Sequence, residues 1–134
     1  MPRGKSIKPF RVVLVDDSLL VRERLAALLG CLENIEVVGQ ACDVAGGEVL
    51  VRERRPDLLI IDIDLPGSSG TNLLANARRE NGKLLIVMLS NYDHPKLRQE
   101  CAALGADFYF HKPTEFDRIF EVCQVLARVQ RGPG

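Results

Sequence analysis

Apolar residues are arranged along the chain in two rhythms. Short continuous runs rich in Val, Ile and Leu alternate with longer stretches whose apolar positions recur at helical spacing. The runs are too short for ordinary helices, and the most apolar of them read as strands buried on both faces. Strands are predicted from Arg11 to Val15, from Ile35 to Gln40, from Asp57 to Asp62, from Leu84 to Leu89 (closed by Ser90), and from Asp107 to His111. The second is more polar, as expected nearer a sheet edge.

Helices are predicted between them. The first is capped by Asp17 or Ser18, with Leu20, Leu25, Leu28 and Leu29 on its apolar face. The second runs from Val44 to Arg54, weakened by Gly46 and Gly47, each costing ~1 kcal/mol relative to Ala. A Pro66 to Gly70 turn leads into a third helix marked by Leu73, Leu74 and Ala77, closing at Asn81-Gly82. Asp93 is expected to cap the fourth, with Pro95 in its first turn and Gly105 as its stop. After a break at Lys112-Pro113 the last runs from Glu115 to Val129, with Phe116, Ile119, Phe120, Cys123 and Leu126 on one side. Met1 to Pro9 reads as a frayed arm and Arg131 to Gly134 as a tail. Strand and helix thus alternate five times, which implies right-handed crossovers and a parallel α/β sheet covered on both faces.

Composition narrows the function. At 134 residues, with 46% hydrophobic and 27% charged, the chain suits one globular domain. Eighteen basic and eighteen acidic residues cancel, so no global charge steers it toward nucleic acid or an anionic membrane. No run is long enough to span a bilayer. Cys31, Cys42, Cys101 and Cys123 form no C-x-x-C pair, and are expected to be reduced and buried, as suits the cytoplasm.

Candidate chemistry lies at the strand ends. An open parallel sheet binds ligands beyond the carboxyl ends of its strands, and those ends carry Asp16, Asp17, Asp62, Ser90 and Lys112. Three carboxylates together repel one another, and a hard cation such as Mg²⁺ relieves this through oxygen ligands. Lys112 supplies positive charge for a phosphoryl group and Ser90 a hydroxyl donor. There is neither a G-x-x-x-x-G-K-[ST] loop nor a G-x-G-x-x-G turn, so nucleotide cradling is not indicated.

With Asp16-Asp17 after the first strand, Asp62 and Pro66-Gly67 after the third, Ser90 after the fourth and Lys112-Pro113 after the fifth, the chain resembles a response-regulator receiver domain of two-component signalling. The resemblance covers nearly its full length. It implies a flavodoxin-like doubly wound five-stranded sheet, order 2-1-3-4-5, in a single domain over residues 1–134 with an ordered core over about 10–130 and no output domain. It implies that Asp62 accepts a phosphoryl group from a phosphohistidine of a sensor histidine kinase or histidine phosphotransfer protein. Mg²⁺ would be held by Asp16, Asp17, Asp62 and the backbone carbonyl of Asp64. Lys112 would pair with the acyl phosphate and precede a cis peptide to Pro113. Ser90 would swing toward the phosphoryl group and Tyr109 would turn inward behind it. The fourth helix, fifth strand and fifth helix would then present a changed surface to a downstream protein target. The domain would be regulatory, catalysing only its own phosphorylation and slow dephosphorylation, without direct contact with nucleic acid or membrane; weak pairing with a second copy is a further contact. Asp64, Asn91 and Tyr92 depart from the family pattern near the site and bear on phosphate lifetime.

Alternatives from other classes are a pseudo-receiver that docks without phosphotransfer, a phosphate sink, and a haloacid-dehalogenase-like phosphatase suggested by Asp62-Ile63-Asp64. The first predicts loss of an acid or the lysine, and none is lost; the last places its acid pair after a first strand, not a third. Taken singly, Asp16-Asp17 is a helix cap, Ser90 a turn residue and Tyr109 packing. Their joint placement reverses that reading. His94 and His111 are expected to have no catalytic part, and Arg52, Glu53, Arg54 and Arg55, like Arg78-Arg79-Glu80, read as solvated helix ends.

Overall fold

The apolar runs become strands β1 (Phe10–Val15), β2 (Ile35–Ala41), β3 (Leu58–Asp62), β4 (Leu85–Ser90) and β5 (Phe108–His111). They alternate with helices α1 (Leu19–Gly30), α2 (Val44–Arg54), α3 (Gly70–Glu80), α4 (Pro95–Ala103) and α5 (Lys112–Gln130) in a computed structural model that describes residues 8–130. The first seven residues of the expected arm over 1–9, and the tail over 131–134, lie outside the described residues. All strands are parallel, in the order β2-β1-β3-β4-β5, the expected flavodoxin-like arrangement. The order reverses direction between β1 and β3, so the crevice of a doubly wound sheet opens where Asp16, Asp17 and Asp62 emerge.

Two cores flank the sheet. Leu14, Ile60, Leu89 and Phe110 pack with Leu25 and Leu29 of α1 and Phe116, Ile119 and Cys123 of α5. Val13, Val15, Ile61 and Met88 pack on the other face with Leu73, Leu74 and Ala77 of α3 and Cys101 of α4. Each fully buried aliphatic side chain contributes ~1.5–3 kcal/mol. Every residue of β3 is buried, including Asp62 at its end.

Several local expectations change. Leu20 is 67% exposed, whereas Leu25 and Leu29 carry the packing of α1. Five residues ahead of Leu25, it points roughly 140° away around the helix. Of the two candidate caps for α1, Ser18 accepts from the Val21 amide at 3.2 Å. Helix α2 forms despite its glycines because Gly47 is a point of close approach. A Cβ there would stand 2.7 Å from Leu73 and 3.1 Å from Val15. Asp93 does not cap α4; His94 takes the cap position without a side-chain bond. Pro95 forces its predecessor into the extended conformation, which moves the helix boundary one residue along. Helix α5 begins at Lys112, three residues before the expected start, and the Lys112–Pro113 peptide is trans, with no cis peptide bond among the described residues. Proline in a first helical turn gives up an N–H that has no intrahelical partner anyway. Cys101 and Cys123 are buried, but Cys31 and Cys42, at the end of α1 and just after β2, are exposed; all four are free.

Arg78 also departs from its reading as a solvated residue. Its guanidinium donates to the carbonyls of Asn81, Gly82, Leu84 and Gly105 and to the Asp107 carboxylate at 2.9 Å. One side chain thereby ties the end of α3 to the turns leading into β4 and β5. Arg52 is solvated as expected, in an exposed contact with Glu80.

Candidate functional site

Strands β1 and β3 run side by side, so the residues at their carboxyl ends meet. Asp16 and Asp62 are each 1% exposed, whereas Asp17 is exposed. The three offer carboxylate oxygens within 4.8 Å of one another. Helix α5 starts directly at the end of β5, which brings Lys112 to the same edge. Its ammonium lies 2.8 Å from Oδ2 of Asp16 and 3.4 Å from Oδ2 of Asp62.

The neighbouring backbone shapes the site. Oδ1 of Asp16 accepts from the Ser18 amide at 2.9 Å, and the Asp16 carbonyl accepts from Arg22 at 2.6 Å. Oδ1 of Asp62 accepts from the Asp64 amide at 3.2 Å. Gly70 packs so tightly under β3 that a Cβ would run into the carbonyl oxygen of Asp62, so only glycine fits at the start of α3. The side chain of Asp64 is exposed and stands outside the three-acid cluster.

Burial, and next the charge of Asp16, lift the Asp62 carboxyl to about 6; Lys112 and the Asp64 amide act the other way without cancelling them. Oδ2 of Asp16 is buried and accepts no hydrogen bond, because the Lys112 ammonium is close in distance but off the directions of one. An unfilled buried oxygen beside two more carboxylates is a donor set suited to a hard divalent cation, and the residues fit Mg²⁺.

Ser90 ends β4 with no exposure, and its hydroxyl accepts from the Tyr92 amide at 2.9 Å. Tyr109 stands inward, 9% exposed, its hydroxyl donating to the Tyr92 carbonyl at 3.0 Å. Sequence reasoning missed Arg98 and Glu115, which contact one another at 2.9 Å beside Tyr109. His111, expected to have no catalytic part, makes a structural contact, its Nε2 lying 3.0 Å from the Asn91 carbonyl. A polar residue on a helix or strand end has the same sequence signature whether it meets water or a neighbour.

Residues 12–124 match the family model for the response regulator receiver domain. The chain is 44% identical, over 98% of its length, to a protein-glutamate methylesterase/protein-glutamine glutaminase of Anaeromyxobacter dehalogenans, of which it spans 38%. Among solved structures, a CheY-like receiver domain protein of Methanospirillum hungatei aligns with a TM-score of 0.82 at 26% identity, covering 96% of this chain and all of that one. The signal receiver domain of the putative response regulator NarL from Mycobacterium tuberculosis aligns with a TM-score of 0.80 at 27% identity, over 90% of this chain and 97% of that one. An acid cluster at the switch point of a 2-1-3-4-5 sheet, matched over most of its length by that family model, places the chain in the response regulator receiver domain family.

Proposed function

We propose that the protein is a phosphoacceptor signalling switch with Asp62 as its nucleophile. The observation that carries this is the burial of Asp62 beside two further acids and one ammonium at the sheet edge. Above about pH 6 its carboxylate is ionised and available for attack. An Asp62 oxygen bonds to the phosphorus of a phosphohistidine as the P–N bond breaks, and the electron pair of that bond returns to the imidazole nitrogen. Lys112 places positive charge where the phosphoryl oxygens would stand, and the Ser90 hydroxyl offers a donor. Asp16, Asp17 and Asp62, with the Asp64 carbonyl, would hold Mg²⁺, which when bound neutralises charge on the transferred group. The product adds charge at the sheet edge, which Ser90 and Tyr109 relay to α4, β5 and α5. The donor is a histidine kinase or histidine phosphotransfer protein, and the readout is a downstream protein.

The test is intact-protein mass after incubation with acetyl phosphate or phosphoramidate and Mg²⁺. A gain of one phosphoryl group is expected, abolished by chelator and by Asp62→Ala. No gain from either donor or from a phosphorylated histidine phosphotransfer protein would refute the reading. Rapid return of the group to such a protein would instead indicate a phosphate sink.

A further inference from the structure

The segment joining β4 to α4 is held at four successive residues. The Ser90 hydroxyl accepts from the Tyr92 amide, the Asn91 carbonyl meets His111, the Tyr92 carbonyl accepts from the Tyr109 hydroxyl, and the Asp93 carboxylate accepts from Arg98. Arg98 does more than close this series. Its Nη1 donates to the carbonyl of Tyr109 at 2.9 Å, and its guanidinium carbon lies 4.6 Å from the centre of the Tyr109 ring. Its Nη2 is shared between Asp93 at 3.3 Å and Glu115 at 2.9 Å. Glu115 in turn accepts from the His111 amide at 2.9 Å. A single guanidinium therefore grips one tyrosine by backbone and ring face, and ties it to the β4–α4 segment and to α5.

The ion pairs alone do not explain this arrangement. The Arg98 side chain is 36% exposed, and pairs so open to water contribute little. The contact with the Tyr109 ring face is of another kind, because it exists only while the ring lies inward, and the bond to the Tyr109 carbonyl holds the guanidinium in place to make it. Turning the ring outward would uncover the guanidinium and leave the Tyr92 carbonyl without its donor. Planar stacking with simultaneous forked donation is chemistry that arginine has and lysine lacks.

We infer that Arg98 is a positioning residue that holds Tyr109 inward and thereby sets the bias of the Ser90–Tyr109 pair. Its consequence for phosphorylation rests on the phosphoacceptor reading. A ligand of the site that favours inward Tyr109 must bind more weakly once Arg98 is removed, because the coupling is reciprocal.

The chain has two tyrosines and no tryptophan, so Tyr92→Phe leaves Tyr109 as the only strong fluorophore. In that background, acrylamide quenching reads the exposure of the Tyr109 ring directly. Arg98→Met should raise quenching with unchanged far-UV circular dichroism, and Arg98→Lys should not restore protection. Unchanged quenching in the Met variant would overturn the inference. Full protection in the Lys variant would also overturn it, by assigning the effect to the ion pairs. Beryllofluoride with Mg²⁺, titrated calorimetrically as a phosphoryl mimic, should bind Arg98→Met about three- to five-fold more weakly than the unaltered protein, the loss of the one stacked contact that depends on the inward ring. Equal affinity would overturn the coupling. If the unaltered protein fails to bind beryllofluoride, the phosphoacceptor reading falls, and the quenching comparison still decides the role of Arg98.

Discussion

Replacing Asp62 by Asn should stabilise the protein by an amount that depends on pH. The change removes one negative charge and keeps the shape, and the new Oδ1 can still accept from the Asp64 amide, 3.2 Å away in the parent. Burial and the charge of Asp16 lift the Asp62 carboxyl from an ordinary 3.8 to about 6, with the Lys112 contact already counted. A difference of roughly two pKa units at ~1.4 kcal/mol each sets a ceiling of about 3 kcal/mol. Screening by water at this open edge lowers the expected gain to ~1–3 kcal/mol. Between about pH 4 and about pH 6 the folded chain keeps a proton on Asp62 that the unfolded chain has released. Its stability therefore falls as pH rises through that window, and the full penalty stands above it. Urea unfolding followed by far-UV circular dichroism, with chelator present, at about pH 8 and about pH 4, reads both limits. The Asn variant should be the more stable at the higher pH and equal to the parent at the lower. A loss at the higher pH would show that the Lys112 contact outweighs burial. An equal gain at both would show that charge is not the cause. Either result refutes the reasoning.

Arg78→Met should cost ~2–4 kcal/mol in urea unfolding, because several carbonyls and the Asp107 carboxylate lose a forked, partly buried donor. Arg78→Lys should recover only part, and a neutral Met variant would refute the tie. A thiol reagent at neutral pH should label Cys31 and Cys42 in the folded protein and Cys101 and Cys123 only in urea; burial pushes both inner thiols up, that of Cys123 to about 12. Rapid labelling of all four would contradict the packing. Mg²⁺ at a hundred times its dissociation constant should stabilise the protein by ~2.7 kcal/mol, and Asp16→Asn should remove most of that effect. Undiminished stabilisation of the variant would place the cation elsewhere.

The alternation of elements was legible because β3 and β4 are buried on both faces and therefore apolar without interruption. The site was legible for a related reason. In a parallel sheet all strands finish at one edge, so Asp16, Asp62, Ser90 and Lys112 converge if each ends a strand. The sheet order was not legible from periodicity and came with the family resemblance, which the structure bears out. Boundaries slipped where proline set them: Pro95 moved the α4 cap from Asp93 to His94, and Pro113 was taken as a break although it sits in the first turn of α5. Arg78 and Arg98 were illegible because an arginine on a polar helix face looks alike whether its head is hydrated or folded back onto carbonyls. Only tertiary placement separates the two.

Lys112 is not centred among the acids. At 2.8 Å from Asp16 and 3.4 Å from Asp62, it leans toward Asp16 and leaves Asp62 the less compensated of the two buried acids. A fold selected for stability alone would continue the apolar run of β3 through position 62. With three acids facing one ammonium, the formal charge left over is that of two carboxylates, which one divalent cation would balance. The instability expected of Asp62 at high pH comes first from its burial and next from the charge of Asp16, and a cation held by the cluster would offset both by pairing with the buried carboxylate. Stability measured against pH and Mg²⁺ therefore tests the site without any partner. If Asp62→Asn removed the pH penalty while leaving cation stabilisation unchanged, Asp62 would not belong to the cation site.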